Sequence, residues 1–403
     1  MSGFRPELRR DPPTDMTDLT EHPDLAARIR REIHDSGPMP FARFMALALY
    51  DPEGGYYRSA DPRPGRAGDF ITAPELHPIF GELMAVAVED AWAALGRPQA
   101  FIVVEHGAGE GALALPMLRE LPATIRYHPV DVDERRVARV RERLAEAGLA
   151  DRLLDALPGS PFDGVILANE VLDALPVHRV RRRGDNLREL AVDVTADGAF
   201  VEVEVDPTTS ALAERLHAEG VELVDGQTAE VALGIDEWIR AAVAPLRRGL
   251  VILIDYGASV TELYDPVHRR EGTLQGYIRH RLSNDPYRFV GRQDLTAHVD
   301  VTAVQRAAEA AGLDTLGVTT QAEALMGLGI EERLRRVQAD PATNIEEYAL
   351  LRASLVRLLD PAAMGRFQVM AFGRGWPAGE MPRLLRYRLR RPDDATDQGD
   401  ATH

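Results

Sequence analysis

The sequence predicts an α/β fold in which a parallel sheet carries helices on both faces. Three observations lead there. Short apolar runs alternate with segments of helical periodicity from residue 101 to residue 172. The first run, Phe101 to Val104, passes through Glu105 into Gly107, Gly109 and Gly111 and then into Ala112-Leu113-Ala114-Leu115, giving strand, turn and helix in immediate succession. The second run, Ile125 to Asp131, ends in an acid 20 residues after Gly111, the place where a ligand's ribose is held in such folds.

Composition bounds the class. A chain of 403 residues holds one large domain with additions, or two domains. Its 45% hydrophobic content is that of a globular protein, and no apolar run reaches the length of a membrane helix. A net charge of −17 argues against a nucleic-acid partner. There is no cysteine, which excludes disulfides, zinc–thiolate sites, iron–sulfur clusters and a cysteine nucleophile together. The N-terminus has no apolar leader and acidic residues soon follow its arginines, so a cytoplasmic chain is expected.

In order, residues 1–22 read as a disordered tail. Leu25, Ile29 and Ile33 mark a short amphipathic helix stopping at Gly37, and a second helix runs from Pro40 to Tyr50. The glycine- and proline-rich stretch from Asp51 to Pro74 is too long for a connector. It carries Tyr56, Tyr57 and GRAGDFITAPE (65–75), and a helix follows from Phe80 to Leu95. These parts form an N-terminal helical extension over 23–96, ahead of a core over 97–391. Within the core, Val137, Val140 and Leu144 mark a helix, Leu153–Leu154 a weak third strand, and Val165 to Ala168 a fourth, which opens into Asn169-Glu170. Residues 177–204 read as an antiparallel meander, with the glutamates of the VEVEV repeat (201–205) in water. Helical spacing returns over 209–218 and 229–244, so inserts fall at about 177–245 and 258–300. Leu250 to Ile254 is a further strand, followed by a helix over 301–311, helices between 321 and 359, a strand over 366–372 and a mobile tail over 392–403.

The glycine turn is the first chemical motif. Glycines let a ligand approach the backbone, and the following helix start offers unpaired N–H groups. Gly107, Gly109 and Ala112 also satisfy a dinucleotide fingerprint. The glutamate in E-x-G-x-G-x-G, Glu105, tilts the choice: the pattern resembles motif I of S-adenosylmethionine methyltransferases, whose cofactor has no pyrophosphate to be repelled. Asp131 supports a nucleoside without naming one, and Asp133 reads as the N-cap of the next helix. Asn169-Glu170 stands at a strand end, where packing explains a carboxylate poorly. Asp173 either shares a face with Glu170 or is an ordinary turn residue. The histidines at 77, 106, 178, 280 and 298 form no metal pattern, Asp294, His298 and Asp300 have only loose spacing, and no metal is expected.

A longer set of motifs carries a resemblance. GPMPFARFMALALYDPEGGYY (37–57), GRAGDFITAPELHPIFGE (65–82), VVEHGAGEGAL, ILANEVLDALPVHRV (166–180), LIDYG (253–257), GRQDLTAHVDV (291–301) and MGRFQVMAFG (364–373) occur in the order of the MidA-like family. These are S-adenosylmethionine-dependent methyltransferases related to a mitochondrial complex I assembly factor that methylates arginine. The resemblance implies a class I (Rossmann-like) methyltransferase core with S-adenosyl-L-methionine bound by Glu105, Gly107, Gly109, Gly111, Asp131, Asn169 and Gly68. It also implies that the GDF and NE motifs line the site, which makes Glu170, Asp173 and Asp69 the catalytic candidates, with Glu75 beside them. His106, Ala108, Glu110 and Ala112 replace the family's usual Leu, Pro, Arg and Thr. Three readings stay open: methylation of arginine in a protein or peptide, including a respiratory-complex subunit; methylation of a small molecule or peptide; or a docking factor that binds the cofactor. Acceptor and oligomeric state are not legible.

Overall fold

The computed structural model describes residues 20–58, 71–279, 281–283, 285–341 and 343–389. Its central sheet has six strands: β1 (Phe101–His106), β2 (Ile125–Val130), β3 (Phe162–Asn169), β4 (Leu246–Asp255), β5 (Asp314–Thr320) and β6 (Gln368–Arg374). They lie in the order β5-β6-β4-β3-β1-β2. The first four are parallel, whereas β6 runs antiparallel to both β4 and β5.

Both faces of this sheet are covered, which is why its strands are apolar without alternation. Along β1, Phe101 and Val103 enter one core layer while Ile102 and Val104 enter the other. Along β4, Leu250, Ile252 and Ile254 divide from Val251 and Leu253 in the same way. Helices Ile79–Ala94, Ala114–Glu120 and Ile345–Leu359 close the first layer, and Ile235–Val243 and Val301–Ala310 the second.

The chain enters the sheet at β1, moves to β2 on one side and then to β3 on the other. Strand order therefore reverses between β1 and β3, and the crevice outside their carboxyl ends is where open α/β sheets bind ligands. A second, all-antiparallel sheet places Met39–Pro40, Asn186–Val194, His178–Arg183 and Thr228–Val231 side by side, with Phe200–Val205 also on Asn186–Val194. The helices Pro23–Ser36 and Phe41–Tyr50 pack near it through Leu25, Ile29, Phe41 and Phe44, in one cluster with Val192, Leu295 and Ala297.

Several local expectations change. Residues 229–244 are not one helix: Thr228–Val231 is a strand paired with His178–Arg183, and only Ile235–Val243 is helical. Tertiary pairing has overridden the helical spacing there. Leu153 makes only an isolated bridge to Tyr127. β5 was not anticipated, because it is a half-exposed edge strand whose DTLGVTT has no apolar run. The glutamates of the 201–205 repeat are not simply in water: Glu202 pairs with Arg179 and Arg181, and Glu204 with Arg181 and Arg183.

Candidate active site

The glycine turn takes its shape from left-handed backbone. Gly107, Gly109 and Gly111 have φ of 70°, 53° and 77°, values a side chain disfavours. A Cβ on Gly107 would lie 2.6 Å from Val171 Cγ2, whereas one on Gly109 would have no neighbour nearer than 4.0 Å. Gly109 thus presents bare backbone to open space. Asp131, just past β2, ties the turn down: its Oδ2 accepts from the Gly109 N–H at 3.0 Å and its Oδ1 from the Asp133 N–H at 3.0 Å. Beneath the turn, buried Glu105 accepts from the Tyr127 hydroxyl at 2.5 Å, and burial pushes its carboxyl up to about 8.

The end of β3 is strained. Glu170 has φ of 54°, a conformation that a non-glycine residue keeps only where its surroundings enforce it. Asp255, at the end of β4, enforces it here. Its Oδ2 accepts from the N–H groups of Val171, Leu172 and Asp173 at 3.1, 2.9 and 3.2 Å, and its Oδ1 from Tyr256 at 2.9 Å. The Glu170 N–H bonds the Ile254 carbonyl at 2.8 Å. Glu170 Oε1 accepts from Asn169 Nδ2 at 2.9 Å and from the Ala73 N–H at 3.2 Å.

Three carboxyls therefore cluster here, Asp173 and Asp255 buried and Glu170 half-buried. Burial, followed by Asp173, pushes Glu170 up to about 8. Burial brings Asp173 to about 6, against a hydrogen bond from Tyr256. Burial and then the other two carboxyls drive Asp255 well up, while its N–H donors hold it down. Among the described residues none of the three is in an ion pair. Such a cluster is poised to take up positive charge from a ligand.

Glu170 and Asn169 share a cleft of about 260 Å³ with Glu105, Gly107, Gly109 and Asp131. Tyr50, Tyr57, Thr72 and Glu75 of the N-terminal part also line it. The rings of Tyr50 and Tyr57 stack at 5.6 Å, and their hydroxyls donate to the Ala174 carbonyl at 2.8 Å and to Asp294 Oδ1 at 2.9 Å. His106 meets Trp238 edge to face at 5.4 Å, and burial lowers its imidazole to about 4, so it is neutral.

The predicted residues fall into groups. Glu105, Gly107, Gly109, Asp131, Asn169 and Glu170 all line the cleft. Gly111 lies in the turn against Val140, with φ of 77°. Asp173 is not among the residues that line it; its carboxyl accepts a hydrogen bond from Tyr256. Gly68 and Asp69 lie outside the described residues, as does His280. Glu75 closes a capping box by accepting from the Thr72 N–H at 3.0 Å. Glu110 stands at the rim, 3.0 Å from Arg139. Asp133 and Asp300 are helix N-caps, and Asp294 takes the Tyr57 hydroxyl. Sequence reasoning passed over Tyr50, Arg136, Trp238 and Asp255. Only Asp255 carried a usable signal, an acid at a strand end like Asp131.

Whether S-adenosyl-L-methionine suits these residues can be judged from the cleft alone. Asn169 Oδ1 is buried and without a hydrogen-bond partner, a free acceptor for an ammonium group. The left-handed glycines admit close backbone approach, and the unpaired carboxyls suit a ligand with two positive centres. The residues fit that cofactor.

Comparison with known proteins agrees. Residues 83–319 match the family described as "Putative S-adenosyl-L-methionine-dependent methyltransferase". The chain is 29% identical over 393 residues to the Drosophila melanogaster protein arginine methyltransferase NDUFAF7 homolog, mitochondrial, covering 88% of this chain and 86% of that one. It is 29% identical over 375 residues to the human protein arginine methyltransferase NDUFAF7, mitochondrial, covering 84% and 81%. A Burkholderia thailandensis protein, crystallised with S-adenosyl-homocysteine, is 37% identical with a TM-score of 0.83, over 91% of this chain and 95% of that one. The mitochondrial designation of the relatives overturns the expectation of a cytoplasmic chain. That expectation rested on a missing apolar leader and on acidic residues close behind the N-terminal arginines, and neither feature excludes a mitochondrial protein.

Proposed function

Since the chain belongs to this family of S-adenosyl-L-methionine-dependent methyltransferases, the MidA-like family of its motifs, we propose that it methylates an arginine nitrogen in a protein substrate. The observation that carries the arginine reading is the cluster of half-buried Glu170 with buried Asp173 and Asp255, held without a cationic partner among the described residues. The names of the relatives support the same acceptor. The resemblance narrows the proposed substrate to a subunit of a respiratory complex.

Gly107, Gly109 and Gly111 shape the seat of the cofactor. Asp131 spends one lone pair of each oxygen on a backbone N–H and keeps the others for ribose hydroxyls. Asn169 Oδ1 and the Glu105 region meet the amino-acid end. The cofactor supplies a methyl on a cationic sulfur: the S–CH3 bond breaks with its electron pair left on sulfur, an N–CH3 bond forms, and the guanidinium gives up one N–H proton. Glu170 is the group for that proton. With a carboxyl near 8 it is largely protonated at neutral pH before ligands bind. Two cations alongside lower it, so it ionises as the ternary complex forms and regains a proton when charge leaves. Asn169 and the Ala73 N–H orient it by direct hydrogen bonds. Asp173 acts only through Tyr256, and for Gly68 and Asp69 we keep the cofactor-binding and catalytic roles that the resemblance implies.

Glu170→Gln keeps the shape and removes the charge. Methyl transfer to arginine is expected to fall by two orders of magnitude or more, roughly the contribution of a positioned proton acceptor, while S-adenosyl-L-methionine still binds in calorimetry. Turnover close to wild type would remove Glu170 and the arginine reading together.

A further inference from the structure

Glu170 lines two cavities. Besides the cofactor cleft there is a second one of about 530 Å³, and among the described residues Glu170 is the only lining residue the two share. Glu170 therefore stands between them. The second cavity is chemically graded. Glu170 and Asp294, which is 1% exposed, supply carboxyls at its inner end. Half-buried Tyr256 and Tyr277, with Phe367, supply aromatic wall. Arg357 and Arg366 also line it; both are exposed, and neither is in an ion pair among the described residues. Arg366 lies close enough to Tyr277 and His298 to act on both. The inner end is linked to the cofactor side a second time, since Asp294 holds the Tyr57 hydroxyl and Tyr57 lines the first cleft.

We propose that the acceptor arginine enters through this second cavity, its guanidinium on Glu170 and its stem along Tyr256, Tyr277 and Phe367, with an adjacent acidic residue of the substrate paired to Arg357 and Arg366. This rests on the arginine reading and adds to it the route of entry and the sequence context of the target. A guanidinium needs carboxylate and aromatic surface, which is the order of groups leading to Glu170. The two arginines at the exposed end repel a basic flank and attract an acidic one. The context is the opposite of what the chain's net charge of −17 would favour.

Two fluorescein-labelled dodecapeptides test it, each with one central arginine, flanked by glutamates in one and by lysines in the other. They are titrated with the full chain saturated with S-adenosyl-homocysteine, and binding is read by anisotropy. The glutamate-flanked peptide is expected to bind about tenfold more tightly, the sum of two partly screened ion pairs. Arg357→Glu with Arg366→Glu reverses that order, and these exposed positions leave cofactor affinity unchanged. Ala363→Trp, which fills the second cavity, weakens the glutamate-flanked peptide without changing cofactor affinity. Equal binding of the two peptides, or an order that survives the double substitution, overturns the entry route. A third peptide with citrulline for arginine keeps the two ideas apart. If it binds as well as its parent, the arginine reading fails. If arginine is required but flanks and cavity do not matter, only the entry route fails.

Discussion

Glu170 sits in a backbone conformation that costs a side chain about 1 kcal/mol, in a cluster that opposes its charge. Glycine would relieve the first cost and any neutral side chain the second, which marks a position kept for chemistry rather than stability. The sign of the pH effect follows. In the unfolded chain Glu170 titrates near 4.5, and in the empty fold near 8. Between those values the folded state binds more protons, so its contribution to stability is full below 4.5 and is lost as pH rises through 8. Glu170→Gln is therefore expected to melt above wild type at pH 8 and to lose that advantage at pH 5, in cofactor-free scanning calorimetry. A gap that widens toward pH 5 would contradict the burial of this carboxyl. Asp131 offers a second test. Asp131→Ala removes the proposed ribose contacts together with the tie to Gly109, and cofactor affinity should fall roughly 10- to 150-fold, or about 1.5–3 kcal/mol. An unchanged dissociation constant would leave Asp131 as a fastener of the turn only.

Two strand ends set the geometry at the scale of elements. β1 with its glycine turn and β3 with its strained end face each other across the switch point, and each is tied by an acid on a neighbouring strand. Asp131 holds the first through Gly109, and Asp255 holds the second through three N–H groups. Asp255→Ala leaves those buried donors unpaired, and urea unfolding should show a loss of about 3 kcal/mol or more. Asp255→Asn, which keeps the shape and one acceptor oxygen, should lose less; equal losses would mean that an amide oxygen cannot hold these N–H groups. These elements also show what a sequence reveals. β1, β2, β3 and their terminal acids were legible because their signals are local: an apolar run, a glycine spacing, a carboxylate where a strand stops. Asp255 had the same local signal and was passed over. β5 was hidden because an edge strand half in water needs no apolar run. The strand at 228–231 was hidden because its pairing partner lies about 50 residues earlier in the chain.

At the scale of the whole molecule, the N-terminal part and the segment 275–298 complete a site that the central sheet alone would leave open. Tyr50, Tyr57 and the Ala73 N–H reach Ala174, Asp294 and Glu170 across sequence separations of 124, 237 and 97 residues. No spacing rule could have joined them. The family resemblance implies that the GDF and NE motifs line one site, without saying through which atoms the N-terminal part reaches it. The two cavities meeting at Glu170 are likewise a property of the assembled chain. They make the identity of the acceptor the point on which everything else depends. The most direct test incubates the full chain with methyl-labelled S-adenosyl-L-methionine and a lysate of its own cells, then follows the label through acid hydrolysis. The expected result is label in methylarginine released from protein, abolished by Glu170→Gln. Label in small molecules, or in protein at residues other than arginine, would contradict it.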